Sequence, residues 1–194
     1  YYKWIRAAVT ADMPLNQFVS ELIAARGSTY SVPQTNFYRA LRTPEERAES
    51  TAQLFLGIRL QCAKCHNHPF DHWTQQDYYG WSGFFARIDY KIIENKRRDK
   101  NDKHEFDGEQ IVEIKSEGEV KNPTSGEIAS LRFLGDRSAA PRPETTEPNG
   151  PPDRLLQLAE WISAPENSRF AATQANRIWY QLMGRGVVDP IDDF

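Results

Sequence analysis

The sequence predicts a mainly α-helical fold with a small β-hairpin or meander insertion, an α+β chain whose helical core surrounds a Cys-x-x-Cys-His cluster. Three observations carry that expectation. Apolar residues recur at i, i+3, i+4 and i+7 in separate stretches along the chain. Strand-like alternation is confined to a region of about 105–134. Both cysteines and three of the four histidines fall between Cys62 and His72.

The first clear helix is expected from about Pro14 to Arg26, where Leu15, Phe18, Val19, Leu22 and Ile23 share one face. Asp12 suits its cap, Pro14 its first turn and Gly27 its left-handed stop. A weaker helix precedes it near Lys3 to Ala8. Residues 28–42 read as a loop with Phe37 and Tyr38 as anchors. Thr43-Pro44-Glu45-Glu46 is a capping box with proline at the first helical position. The helix it opens is expected to reach about Gln61, to be buried from Ala52 to Leu60, and to deliver Cys62 at its end.

After the cluster, Thr74 and Asp77 give a second capping signal. Tyr78, Trp81, Phe84, Phe85 and Ile88 then mark a helix with an aromatic face, read as core packing or as a wall for a flat apolar cofactor. Lys96 to Lys103 is a charge run, and Ile111 to Ile114 opens the β insertion that ends near Leu134. Residues 135–152 are a proline-rich linker. A further helical unit is expected over 153–194. It holds a short helix through Leu155, Leu156, Ala159 and Ile162 and a longer one from Ser168 to Met183. Ala171, Ala175, Ile178, Trp179 and Leu182 lie on one side of the longer helix, and Gly184 ends it.

Composition narrows the function. At 194 residues the chain fits one domain or one and a fraction. Charged residues make up 26% with a net charge of −3, which gives no case for nucleic acid or an acidic membrane surface. The longest apolar run, near Leu54 to Leu60, is far short of the roughly 20 residues of a membrane span. The chain opens on Tyr1 without an initiator methionine and reads as a fragment of a longer polypeptide. A missing targeting segment therefore says nothing about location. Two cysteines beside a histidine are not the disulfide framework of a small secreted protein.

Cys62-x-x-Cys65-His66 is the spacing of c-type haem attachment. Two sulfurs bond the porphyrin, and the next residue turns its imidazole to the iron as proximal ligand. His68, His72 and His104 are candidates for further ligands, with Met13 and Met183 behind them. His72 lies six residues beyond His66, at most about 20 Å of extended chain, so reaching the other face of the iron is tight. The rival cofactor is zinc, held by Cys62, Cys65 and two of the clustered histidines, although that spacing is cramped for a zinc module. A thiol redox pair or a disulfide is the third reading. It is disfavoured because the expected helix ends at the pair and does not begin there.

The run Phe55 to Asp71, followed by Asp77-Tyr78-Tyr79 and Phe84-Phe85, resembles the planctomycete-type cytochrome c-like domain, a domain of unknown function. Leu158 to Trp161, Asn176 to Trp179 and Gly184 to Phe194 look like the start of its companion domain. The resemblance assigns 1–134 to the first domain and 153–194 to a truncated second one. It implies haem binding, export to the bacterial periplasm or beyond, and a multidomain parent. Electron transfer through one haem c is the expected function, with a redox partner protein or another domain of the same polypeptide. Catalysis opens only if the sixth iron position is empty. The alternative is a non-haem binding or assembly module braced by zinc or a disulfide.

Overall fold

A computed structural model describes residues 1–97, 107–136, 140 and 153–194. Among these, six α-helices and a three-stranded antiparallel sheet confirm a mixed helical architecture with a small β component. Helix α1 spans Tyr2–Thr10 and α2 spans Leu15–Ile23. Pro14 rather than Asp12 occupies the cap position of α2, and no side chain caps it. Asp12 instead takes a positive φ of 51° in the turn between the two helices. Gly27 lies beyond the end of α2 and opens strand β1, Gly27–Ser28. Tyr38 is the expected loop anchor: it is fully buried, and its hydroxyl donates to the Ile23 carbonyl at 2.5 Å.

Helix α3, Pro44–Thr51, starts on the predicted capping box, with Thr43 and Glu46 satisfying each other's backbone N–H groups. It does not run to Gln61. The chain widens into a π-helical turn at Ala52–Leu56 and stops at Gly57, which is left-handed at φ 61° and ψ 40°. Helix α4, Gln75–Ser82, follows the second predicted capping box and tightens into a 3-10 turn at Gly83–Phe85. Ile88 is not on that helix; it begins strand β2, Ile88–Ile92.

Strand β3, Gln110–Ile114, lies in the middle of the sheet, with β2 on one side and β1 on the other. Tyr90 and Gly27 flank Val112 from the two sides. The sheet thus begins before the expected insertion and recruits the segment after α2. Of the rest of the expected meander, the described residues contain one isolated bridge, Lys121 to Ile128. Most of the proline-rich stretch, residues 137–139 and 141–152, lies outside the described residues.

Helix α5, Arg154–Ser163, is capped by Asp153, whose carboxylate accepts from Leu156 N–H at 3.0 Å and pairs with Arg26 at 2.5 Å. It packs against α2, and Leu155, Leu158, Ala159 and Ile162 join the same core as Trp81, Phe84 and Phe133. Helix α6, Ser168–Met183, ends on the left-handed Gly184 as expected. Its expected apolar side is exposed: Ile178, Trp179 and Leu182 face out, and the buried residues are Phe170, Thr173 and Asn176. No helix among the described residues is long and apolar enough to cross a membrane.

Candidate cofactor site

The Cys-His cluster does not hang from a helix end. From Gly57 a short link carries Ile58 and Leu60 into the core, and a one-turn 3-10 helix, Gln61–Lys64, then holds Cys62. Ala63 is fully buried between the two cysteines and pins the turn from below. Both cysteines are free and solvent-facing. The backbone N–H groups of Cys65 and His66 reach the Cys62 carbonyl only at 3.4 Å, so the turn is weakly closed by itself.

Helix α4 supplies the missing restraint. The Tyr79 hydroxyl donates to the Lys64 carbonyl at 2.8 Å, and the Gln75 side-chain amide reaches the same oxygen at 3.3 Å. The Gln75 backbone N–H donates to the Asn67 side chain at 3.2 Å. Burial raises the Tyr79 pKa, with the neighbouring Cys65 sulfur adding to the rise, so its hydroxyl stays protonated as a donor. His68 N–H to the Trp73 carbonyl, at 2.8 Å, closes an outward excursion of Pro69, Phe70, Asp71 and His72. Phe70 at its tip is 95% exposed.

Hydrogen bonding separates the three histidines of the loop. His66 Nδ1 lies 2.8 Å from the Asn67 carbonyl. A carbonyl only accepts, so Nδ1 carries a proton, and Nε2 is the nitrogen left to ligate when the ring is neutral. His72 Nδ1 lies 2.6 Å from the Asp71 carboxylate, so Nδ1 is the nitrogen that donates there. His68 is the reverse: its Nδ1 accepts from Phe70 N–H at 3.3 Å, so the proton sits on Nε2. Partial burial raises the Asp71 pKa, but the backbone N–H, charge and ring of His72 outweigh it and hold Asp71 below the usual carboxylate range. Met183 is exposed on the last turn of α6, and His104 lies outside the described residues.

This donor set suits covalent haem attachment: two free, accessible thiols and, next to them, an imidazole with Nε2 open. The described residues gather no group of three or more Cys, His, Asp or Glu able to hold a metal ion, so a Cys2His2 zinc site is not assembled among them. Tyr78, Trp81, Phe84 and Phe85 are buried in the core and do not face the cluster as an open wall. Phe70 is the large apolar ring that the loop itself offers.

Several residues at this site escaped sequence reasoning. Gln53 and Arg59, on either side of Gly57, both bond the Asp192 carboxylate, Arg59 at 2.5 Å. Phe194 N–H donates to the Gly57 carbonyl at 2.7 Å. Arg169 donates to the Phe194 carbonyl oxygen at 3.3 Å and lies over the Trp73 ring, 5.8 Å from its centroid. Gly57, lone in an apolar run, was the one readable signal; nothing local links Arg59 to an aspartate 133 positions later.

Residues 1–90 match the PSCyt2 family model, and residues 154–194 match the PSD1 model; both are described as proteins of unknown function (DUF1549 and DUF1553). In this order they match the planctomycete-type domain pair. The whole cluster lies in the PSCyt2 segment, whereas Arg169, Asp192 and Phe194 lie in the PSD1 segment. Strand β3 falls between the two. No curated protein and no solved structure matches the chain.

Proposed function

We propose that this chain attaches one haem c through Cys62 and Cys65, with His66 as an axial ligand, and carries electrons as part of a larger exported protein. The observation that supports this most is the pairing of two free, exposed thiols with a neighbouring His66 whose Nε2 is open. In attachment each thiol adds its sulfur to one carbon of a vinyl group and its hydrogen to the other. The Asn67 carbonyl fixes the His66 ring and strengthens its donor nitrogen. Tyr79 and Gln75 hold the turn that spaces the sulfurs. Bound haem supplies one-electron iron chemistry, and the protein tunes its potential by burial and hydrogen bonding. For the sixth position His72 is the candidate, since Asp71 engages its Nδ1 and leaves Nε2 as the nitrogen that would ligate once deprotonated, whereas His68 accepts from Phe70 N–H on Nδ1. The electron partner is a redox protein or another domain of the parent polypeptide.

The test is expression beside a c-type haem maturation system in an exporting host. The expected result is a Soret band and a mass increase of one haem that Cys62→Ser or Cys65→Ser weakens and the double substitution abolishes. In the loaded chain, His72→Ala shifts the iron from low to high spin, whereas His68→Ala leaves the spectrum unchanged. A chain with no Soret band that carries one zinc overturns the cytochrome reading in favour of a metal-braced binding or assembly module.

A further inference from the structure

The Cys62 to Trp73 loop is held from its own side by α4, but its two flanks are gripped by residues far along the chain. On the upstream flank Asp192 bonds Gln53 and Arg59, and Phe194 closes on Gly57 through its N–H. A Cβ added to Gly57 would lie 2.7 Å from the Phe194 ring and 3.1 Å from Thr173 Oγ1, so the fit there is tight. On the downstream flank Arg169 lies over the Trp73 ring, which in turn packs on His72 with ring centroids 4.0 Å apart. Arg169 also holds the Phe194 carbonyl oxygen, so one guanidinium joins the two grips. Gln174 and Arg177 complete the seat by donating to the carbonyls of Gln53, Leu54 and Phe55 along the π-helical turn.

We infer that the PSD1 segment is a working part of the thiol–histidine site, with Asp192 and Arg169 as positioning residues that set how the Cys62–His72 loop is presented. The inference concerns the loop itself and holds whatever the thiols carry. Two features point to positioning and not to general bracing. The grips fall on the stretches that lead into and out of the loop, and the Cys62–His66 turn itself closes through N–H bonds of 3.4 Å to the Cys62 carbonyl. Helix α4 holds the loop from one side, so how the loop is tilted on that support is left to its flanks. The π-helical turn that receives Gln174 and Arg177 is also a backbone form that frequently marks functional sites.

The experiment uses the reduced, cofactor-free full chain. Alkylation rates of Cys62 and Cys65 are read by mass spectrometry, with hydrogen exchange over residues 57–73 and the melting temperature. Asp192→Asn and Arg169→Gln are compared with Glu119→Gln, which weakens the Arg154 and Arg87 pairs away from the loop. Both loop variants are expected to exchange about three- to tenfold faster over 57–73 and to change the alkylation rates of the two exposed thiols, with Arg169→Lys restoring part of the original values. The control is expected to leave both readings unchanged. Unchanged alkylation in Asp192→Asn and Arg169→Gln overturns the proposal, as does an equal change in the control. If one variant fails to fold, the other decides by the same criteria. Because no haem enters the measurement, its result stands apart from the fate of the cytochrome reading.

Discussion

Arg47 is 1% exposed and donates to the carbonyls of Leu41, Arg42 and Phe85 and to the Tyr90 hydroxyl. The same guanidinium lies over the Tyr90 ring. It sits in a helix that reads Pro-Glu-Glu-Arg-Ala-Glu-Ser-Thr, where charge density suggests a solvated face. Nothing in the local pattern marks it as the side chain that ties α3 to the strand region. Arg47→Met leaves several buried acceptors without donors, so unfolding free energy should fall by about 3 kcal/mol or more, measured by urea titration. Glu119 gives a pH signature. Partial burial raises its pKa, but hydrogen bonds and charge from Arg154 and Arg87 bring it below the ordinary glutamate range. A depressed carboxylate contributes stability above its unfolded pKa and loses it as pH falls through the folded one. The melting temperature should therefore drop on acidification below the usual carboxylate range, and Glu119→Gln should flatten that drop.

Local signals were legible at the scale of single elements. Both capping boxes, Thr43 with Glu46 and Thr74 with Asp77, open helices where the spacing placed them, because each needs only four consecutive residues. Thr74→Ala should lower stability by about 1 kcal/mol in a thermal melt. The stretch from Ala52 to Leu60 misleads because its apolar density is continuous while its backbone is not. Gly57 turns left-handed to let Phe194 approach. Gly57→Ala should then cost about 1–2 kcal/mol for the backbone alone, and more for displacing Phe194. Helix α6 fails the apolar-face reading for a different reason. Its neighbour is a π-helical turn whose carbonyls face it, so the seat needs donors such as Gln174 and Arg177 in place of aliphatic side chains. The Cys62 to His72 block was legible as a gathering of thiols and imidazoles; which ring nitrogen each histidine commits to a hydrogen bond depended on the fold.

Across the whole molecule, the core joins stretches that the sequence separates. Phe133 stacks on Trp161 with centroids 4.7 Å apart and on Phe84 at 5.1 Å, and Trp81 meets Trp161 edge-on at 5.8 Å. These rings come from the PSCyt2 segment, the region between the matches and the PSD1 segment. Phe133→Ala should remove about 3–5 kcal/mol. Tryptophan fluorescence and far-ultraviolet circular dichroism should still report one coincident transition, because both segments share the stack. Two coincidence-breaking steps would reject that shared core. Such long-range pairings lack a sequence signature, since each aromatic is locally just an apolar position. The grip of Asp192, Phe194 and Arg169 on the loop flanks has a temporal side. A ribosome makes Cys62 and Cys65 more than a hundred residues before Arg169. While the chain emerges in order, the thiols exist without their distant clamp and stand most open to modifying enzymes. Arrival of the stretch from Arg169 to Phe194 then closes that interval, so the order in which the chain emerges, from a ribosome or through an export channel, schedules when the cysteines meet their clamp.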